Sequence, residues 1–237
     1  MDDLEAAIAE ANAVGITRLI GMGVDSATSE GVTRLADSHP AVFAAVGHHP
    51  LNQKGPELDV LRALAAHPRV VAIGEIGIDH ADEHRGPQDE QEIWFHSMCE
   101  LALEFGLPVC VHTRECSVEV YQAIRAHPGL RGVMHYFTLE AVWAQRFLEL
   151  GFHISFSGVL TRVSRGDLRE VARSIPEDRL LIETDAPWGT PRGRSGAMRP
   201  AWMHDTAEVV AELRGLSLED FAELELRNAR ELFPKLG

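Results

Sequence analysis

Seven short apolar runs alternate with amphipathic helical stretches along the whole sequence, and this alternation limits the possible folds more than any other feature. The runs are Thr17 to Asp25, Phe43 to Pro50, Val70 to Asp79, Pro108 to Arg114, Gly132 to Phe137, His153 to Gly158 and Arg179 to Pro187. Each is nearly continuous in apolar residues, as a strand buried on both faces should be. Between them, Trp94, Met98, Leu101 and Phe105 recur at the helical period until Gly106 and Pro108 stop the run. Ser217, with Asp220 three residues on, reads as the N-cap of a last helix. Repeated strand–helix units predict a parallel sheet with right-handed crossovers. At 237 residues the chain suits one domain, residues 1–237, with the architecture of a TIM-type (β/α) barrel.

A closed barrel of this type needs eight strands, each followed by a helix. Here there are seven, and a helix at Asp2 to Val14 comes first. The expectation is therefore that the first strand is missing, with an open seam between the runs at Thr17 and Arg179. The working protein is expected to start upstream of Met1 and so carry that strand, or else this chain is a truncated form. An open, doubly wound sheet is the alternative topology.

The composition narrows the function. Apolar residues are 45% and charged residues 24% of the chain, an ordinary globular balance. No apolar run reaches the roughly 18 to 20 residues of a membrane span, and the acidic N-terminus is unlike a signal peptide. A soluble cytoplasmic protein with no membrane partner is expected, and a monomer is favoured. Three cysteines without CxxC spacing, Cys99, Cys110 and Cys116, read as free thiols. The net charge of −14 opposes broad binding to nucleic acid and leaves room only for a local basic patch.

Ionisable residues gather where the apolar runs end. His48 and His49 end the second run, and Glu75 and Asp79 lie at the end of the third. His112 and Arg114 end the fourth, His135 the fifth, and Glu183 and Asp185 the last. In a parallel barrel these positions share the catalytic face. Histidine and carboxylate donors without thiolates suit divalent ions such as Zn, Mn or Mg, which activate water and polarise a phosphoryl or carbonyl oxygen. His39, His67 and His127, each before a proline at a helix end, read as structural, as does His96. His204 could approach the site through its loop. Arg162, Arg165, Arg192, Arg194 and Arg199 follow the last two runs, where barrels often bind phosphate.

In this order and spacing, VGHHP, GEIGID, VHTR, HYF, ISFSG, IETDAPW and RNARELF resemble the TatD family of metal-dependent deoxyribonucleases and hydrolases over essentially the whole chain. The resemblance implies a phosphodiester hydrolase, and a DNA exonuclease in particular, with one or two divalent ions. DNA or a small phosphodiester would be its substrate. It implies that Glu75 bridges two metals, that His112 and His135 complete one site, and that Asp185 binds the other metal and serves as general base. His49 and Arg114 would face the scissile phosphate. The family's HxH pair, on the first strand, is absent from this sequence. His80, Tyr136 and the stretch SGAMRP also depart from the family pattern. The alternatives are a related barrel hydrolase of a small ester, lactone or amide, or a non-catalytic barrel with a partial metal site.

Overall fold

The computed structural model describes residues 4–81 and 87–237. Its first helix, α1 (Leu4–Ala13), is followed by the strands β1 (Leu19–Met22), β2 (Val42–Val46), β3 (Val70–Asp79), β4 (Val109–Arg114), β5 (Gly132–Met134), β6 (His153–Phe156) and β7 (Leu180–Ile182). The crossovers are α2 (Ser26–Ser38), α3 (Leu58–Ala65), α4 (Gln88–Phe105), α5 (Ser117–Arg125), α6 (Ala141–Glu149) and α7 (Gly166–Ser174). Two further helices, α8 (Met203–Arg214) and α9 (Leu218–Leu232), follow β7. Every expected strand is present. The expected first helix begins at Leu4 among the described residues, and Asp2 lies outside them.

All neighbouring strands pair in parallel, in the order β1 to β7, so β1 and β7 are the two ends of the ladder. The sheet is curled rather than flat. Ile20 and Met22 of β1 share one inner cluster with Phe43 and Ala45 of β2, Cys110 of β4, Val133 of β5 and Leu181 of β7. Side chains from both ends of a seven-stranded ladder meet only if the sheet bends round them. Alternate strand residues face the other way. Val46, Val111, Ile154 and Phe156 pack under Leu61, Met98, Phe147, Leu168 and Phe221 of the surrounding helices. Among the described residues, no helix is long and apolar enough to cross a membrane.

The β7 edge is covered by α9, which Ser217 caps by accepting the Asp220 N–H at 3.0 Å. Strand β6 takes one side of β7, and the other side carries the Leu180 carbonyl and the Ile182 N–H. Asn228 Nδ2 donates to the Leu180 carbonyl at 2.8 Å, and the Glu225 carboxyl accepts from the Ile182 N–H at 3.2 Å. Farther along, Leu232, Phe233 and Leu236 enter the inner cluster. Side chains of the last helix thus do at β7 what a strand's backbone would do, satisfying groups that burial would otherwise leave unpaired.

Burial pushes the Glu225 carboxyl from its ordinary 4.5 up to about 8, and the charge of Glu183 pushes the same way against the Ile182 hydrogen bond. Between those values the folded chain keeps a proton that the unfolded chain has lost, so stability falls as pH rises from about 4.5 to about 8. Glu225→Gln keeps an acceptor for Ile182 without the titration. Its melting temperature should exceed the parent's by several degrees at pH 8, and the two should converge toward pH 4.5. Equal melting curves at pH 8 would contradict this account of the edge.

Candidate metal centre

Strand β3 delivers its carboxylate through an irregularity. Ile73 pairs with Val109 and Ile76 with Val111, so β3 spends one more residue than β4 over that step. Such a bulge re-aims a side chain. Ile73 and Ile76, which an even strand would point to opposite faces, both lie in the outer layer, and Glu75 turns inward between them. The bulge fits because its neighbours are glycines. A Cβ on Gly47 would lie 2.5 Å from the Gly74 carbonyl carbon. A Cβ on Gly77, which has φ +146, would lie 2.0 Å from the His112 carbonyl oxygen. The glycines of VGHHP and GEIG are therefore what allow this carboxylate to sit where it does.

Three imidazoles converge on one oxygen. Glu75 Oε1 is 3.2 Å from His49 Nε2, 3.1 Å from His112 Nδ1 and 2.8 Å from His135 Nε2. The far side of each ring tells them apart. His112 Nε2 is 3.0 Å from Asp79 Oδ2, and His135 Nδ1 is 3.0 Å from Glu183 Oε1. Both rings lie between two carboxylates, an arrangement that only an imidazolium or a metal-bound imidazole satisfies. His49 Nδ1 instead accepts the Leu51 N–H at 3.2 Å, so the neutral ring carries its proton on Nε2 and donates it toward Glu75.

The electrostatics follow from these contacts. Burial alone would raise Glu75, but His135, His112 and His49 hold its carboxyl well below the usual range. Burial would likewise lower both histidines. Glu75 and Glu183 nevertheless push His135 well above its ordinary value, and Asp79 and Glu75 raise His112. Asp185 stands beside this group on the loop after β7, with a left-handed backbone at φ +59. Burial raises its carboxyl to about 7, with repulsion from Glu183 and Glu75 working against the attraction of His135 and His112.

A divalent cation fits this donor set. His112 Nδ1 and His135 Nε2 both point at Glu75 Oε1, and Asp79 and Glu183 hold the opposite ring nitrogens, as carboxylates behind ligating histidines commonly do. The donors of His49, Glu75 and His112 all lie within 4.8 Å of one another, while the Leu51 N–H on His49 Nδ1 leaves that ring's Nε2 as a hydrogen-bond donor. Asp185, which interacts electrostatically with Glu75, stands where it would join Glu75 at a second ion.

All four expected ligands and His49 are thus near one another. Arg114 lies at the exposed end of β4 with no side-chain partner among the described residues. Asp79 and Glu183 were visible in the sequence only as polar residues at strand ends, and the signal for their role is that each follows or precedes a ligand on the same strand end. His48 packs edge-on against Trp94 at 5.1 Å, away from the cluster. His39 and His67 pair with Glu5 and Asp37, and His127 bonds the Ala123 carbonyl, so these read as structural residues here too. His204 stands with Asp205 and Glu208 on α8. Much of the expected basic rim is already paired: Arg194 with Asp205, Arg199 with Glu10 and Arg165 with Asp167.

The chain is similar to known proteins over nearly its whole length. The profile of the family described as TatD related DNase matches residues 1–234. The "uncharacterized metal-dependent hydrolase YabD" of Bacillus subtilis is 33% identical, covering 98% of this chain and 92% of that protein. The "3'-5' ssDNA/RNA exonuclease TatD" of Pantoea vagans is 32% identical, with 98% and 93% covered. The crystal structure of the TatD homologue YjjV of Escherichia coli superposes with a TM-score of 0.92 at 28% identity, covering 98% of this chain and 92% of that one.

Two measurements follow from the geometry. Adding Zn²⁺ or Mn²⁺ to metal-free protein near neutral pH should release protons, because the ion takes the place of protons on His112 and His135. Calorimetry in two buffers of different ionisation enthalpy would count them, and affinity should rise with pH; binding without proton release would contradict the assignment. Asp79→Asn and Glu183→Gln should each weaken metal binding about 10- to 100-fold while leaving the fold intact. Unchanged affinity in both would show that these carboxylates do not orient the ligands.

Proposed function

From the premise that the chain belongs to the TatD related DNase family, we propose that it hydrolyses phosphodiester bonds with a divalent ion, acting as a nuclease of exonuclease type. The observation that carries this reading is the convergence of His112 Nδ1 and His135 Nε2 on Glu75 Oε1, each ring backed by a second carboxylate. Glu75, His112 and His135 would hold the ion, and Asp185 would join Glu75 at a second position. When bound, such an ion supplies a low-pKa water and polarises the phosphoryl oxygen. The rest falls to the protein. Asp185, raised to about 7, is poised to take the proton that the attacking water loses, since a base works best with a pKa near the working pH. His49, whose Nε2–H is directed at Glu75, would turn it to a phosphate oxygen once Glu75 held an ion, and Arg114, exposed at the end of β4, has no side-chain partner among the described residues. A cytoplasmic location is in keeping with three buried free cysteines.

A second reading, a small phosphodiester rather than a long polymer, is favoured by the pairing of Arg165, Arg194 and Arg199 with carboxylates, which leaves little positive charge to track a polyanion. Comparing single-stranded oligonucleotide with bis(p-nitrophenyl) phosphate separates the two. In either case Asp185→Asn should lower kcat by about 10²- to 10⁴-fold while one ion still binds, and Glu75→Ala should abolish metal binding. The mechanism fails if protein stripped of metal hydrolyses either substrate at the full rate.

A further inference from the structure

Three residues beyond Asp185, Trp188 is 71% exposed. The other three tryptophans, Trp94, Trp143 and Trp202, are buried or half-buried. An exposed indole on a mobile loop would mean little, but this one is fixed from below. The Trp188 N–H donates to the Asp185 carbonyl at 2.7 Å, and the Met198 N–H donates to the Pro187 carbonyl at 2.9 Å. The next residue, Gly189, is buried with φ +72, and a Cβ there would lie 2.8 Å from the Thr184 carbonyl oxygen. The loop after β6 braces it: a Cβ on Gly158 would lie 2.2 Å from the Gly189 carbonyl oxygen, and the Arg192 N–H donates to Thr161 Oγ1 at 2.7 Å. The backbone is packed to contact distance, yet its largest side chain is presented to water.

We propose that Trp188 is a stacking platform for a nucleobase of the substrate, holding the nucleotide next to the scissile phosphate. This rests on the reading of the site as a phosphodiesterase and narrows its substrate to one bearing bases. An indole face recognises a flat heterocycle whatever its sequence, and stacking of one base on an aromatic side chain is worth about 1–3 kcal/mol, roughly a 5- to 150-fold gain in affinity. The neighbouring cations suit the rest of a nucleotide. Arg192 is exposed and has no side-chain partner among the described residues, and Arg162 has only the Thr190 carbonyl at 3.5 Å. A few aromatic and cationic contacts beside the site would position a strand end without the long basic track that the charge of −14 opposes.

The test uses pentathymidylate and the same oligomer with abasic terminal nucleotides, each made also with phosphorothioate links that resist cleavage. Binding of the resistant base-bearing oligomer should quench tryptophan fluorescence. Trp188→Phe should lose that quenching while keeping affinity, read by anisotropy of a labelled oligomer, within a few-fold of the parent. Trp188→Ala should bind the base-bearing oligomer at least fivefold more weakly and the abasic one unchanged. Its KM for the cleavable oligomer should rise while kcat on the abasic one holds. Absence of quenching in the parent, or equal weakening of Trp188→Ala on both oligomers, would overturn the proposal. A mass that doubles with concentration in the parent but not in Trp188→Ala would also overturn it, assigning the indole to a second copy of the chain. Quenching without cleavage of any oligomer would leave the platform standing and refute the phosphodiesterase reading instead.

Discussion

A carboxylate driven into the mouth of a curled sheet, with three imidazoles on one of its oxygens, is the contact to which the rest of this molecule is fitted. Burying an ionised carboxylate is costly unless opposite charge and hydrogen bonds replace water. Here the replacement comes from β2, β4 and β5, whose ends must arrive at the same height as the bulge in β3. The glycines at 47, 74 and 77 leave room for that bulge, and the pairing of strands in sequence order brings the histidines round to meet it. Mispacking of any one of these strands would leave Glu75 charged and unpartnered, so the sheet's register and the site's chemistry are fixed together.

The site is also divided by function before any substrate arrives. His112 and His135, each between two carboxylates, hold protons that a cation can replace. His49, with a backbone N–H on one nitrogen, keeps a proton to give. Asp185, buried and then crowded by Glu183 and Glu75, exchanges its proton near neutral pH. Two carboxylates close together have been driven to opposite protonation behaviour by their surroundings, one far below and one above the ordinary range, which is how a single pocket supplies both a charge to bind a cation and a base to accept a proton.

Part of this was legible in the sequence because strand ends in a parallel barrel share one face: periodicity and order grouped His48, His49, Glu75, Asp79, His112, Arg114, His135, Glu183 and Asp185, and the resemblance to the TatD family picked His49, Glu75, His112, His135 and Asp185 out of them. Asp79 and Glu183 were visible but silent. Their role depends on which ring nitrogen faces which oxygen, and that is set by the one-residue shift between β3 and β4 and by the turn after β5. The covering of β7 by Glu225 and Asn228 was hidden for a related reason. An Asn and a Glu on an amphipathic helix read as solvated residues, and only the docking angle of α9 turns them toward backbone. Pairing of the arginines was likewise invisible, since Arg194 meets Asp205 and Arg199 meets Glu10 across long stretches of chain.

The way α9 covers β7 bears on how such a protein can change over evolutionary time. A sheet edge closed by another strand is protected by backbone, which a point mutation removes only by introducing proline. This edge is protected at Leu180 and Ile182 by two side chains, each one codon away from losing its bond. A substitution at Asn228 or Glu225 uncovers a carbonyl or an N–H on a strand already held in extended form, and such an edge is a template for a strand from another chain. At β7, the distance between a self-contained sheet and one shared in an assembly is two residues of a helix that takes no part in the chemistry.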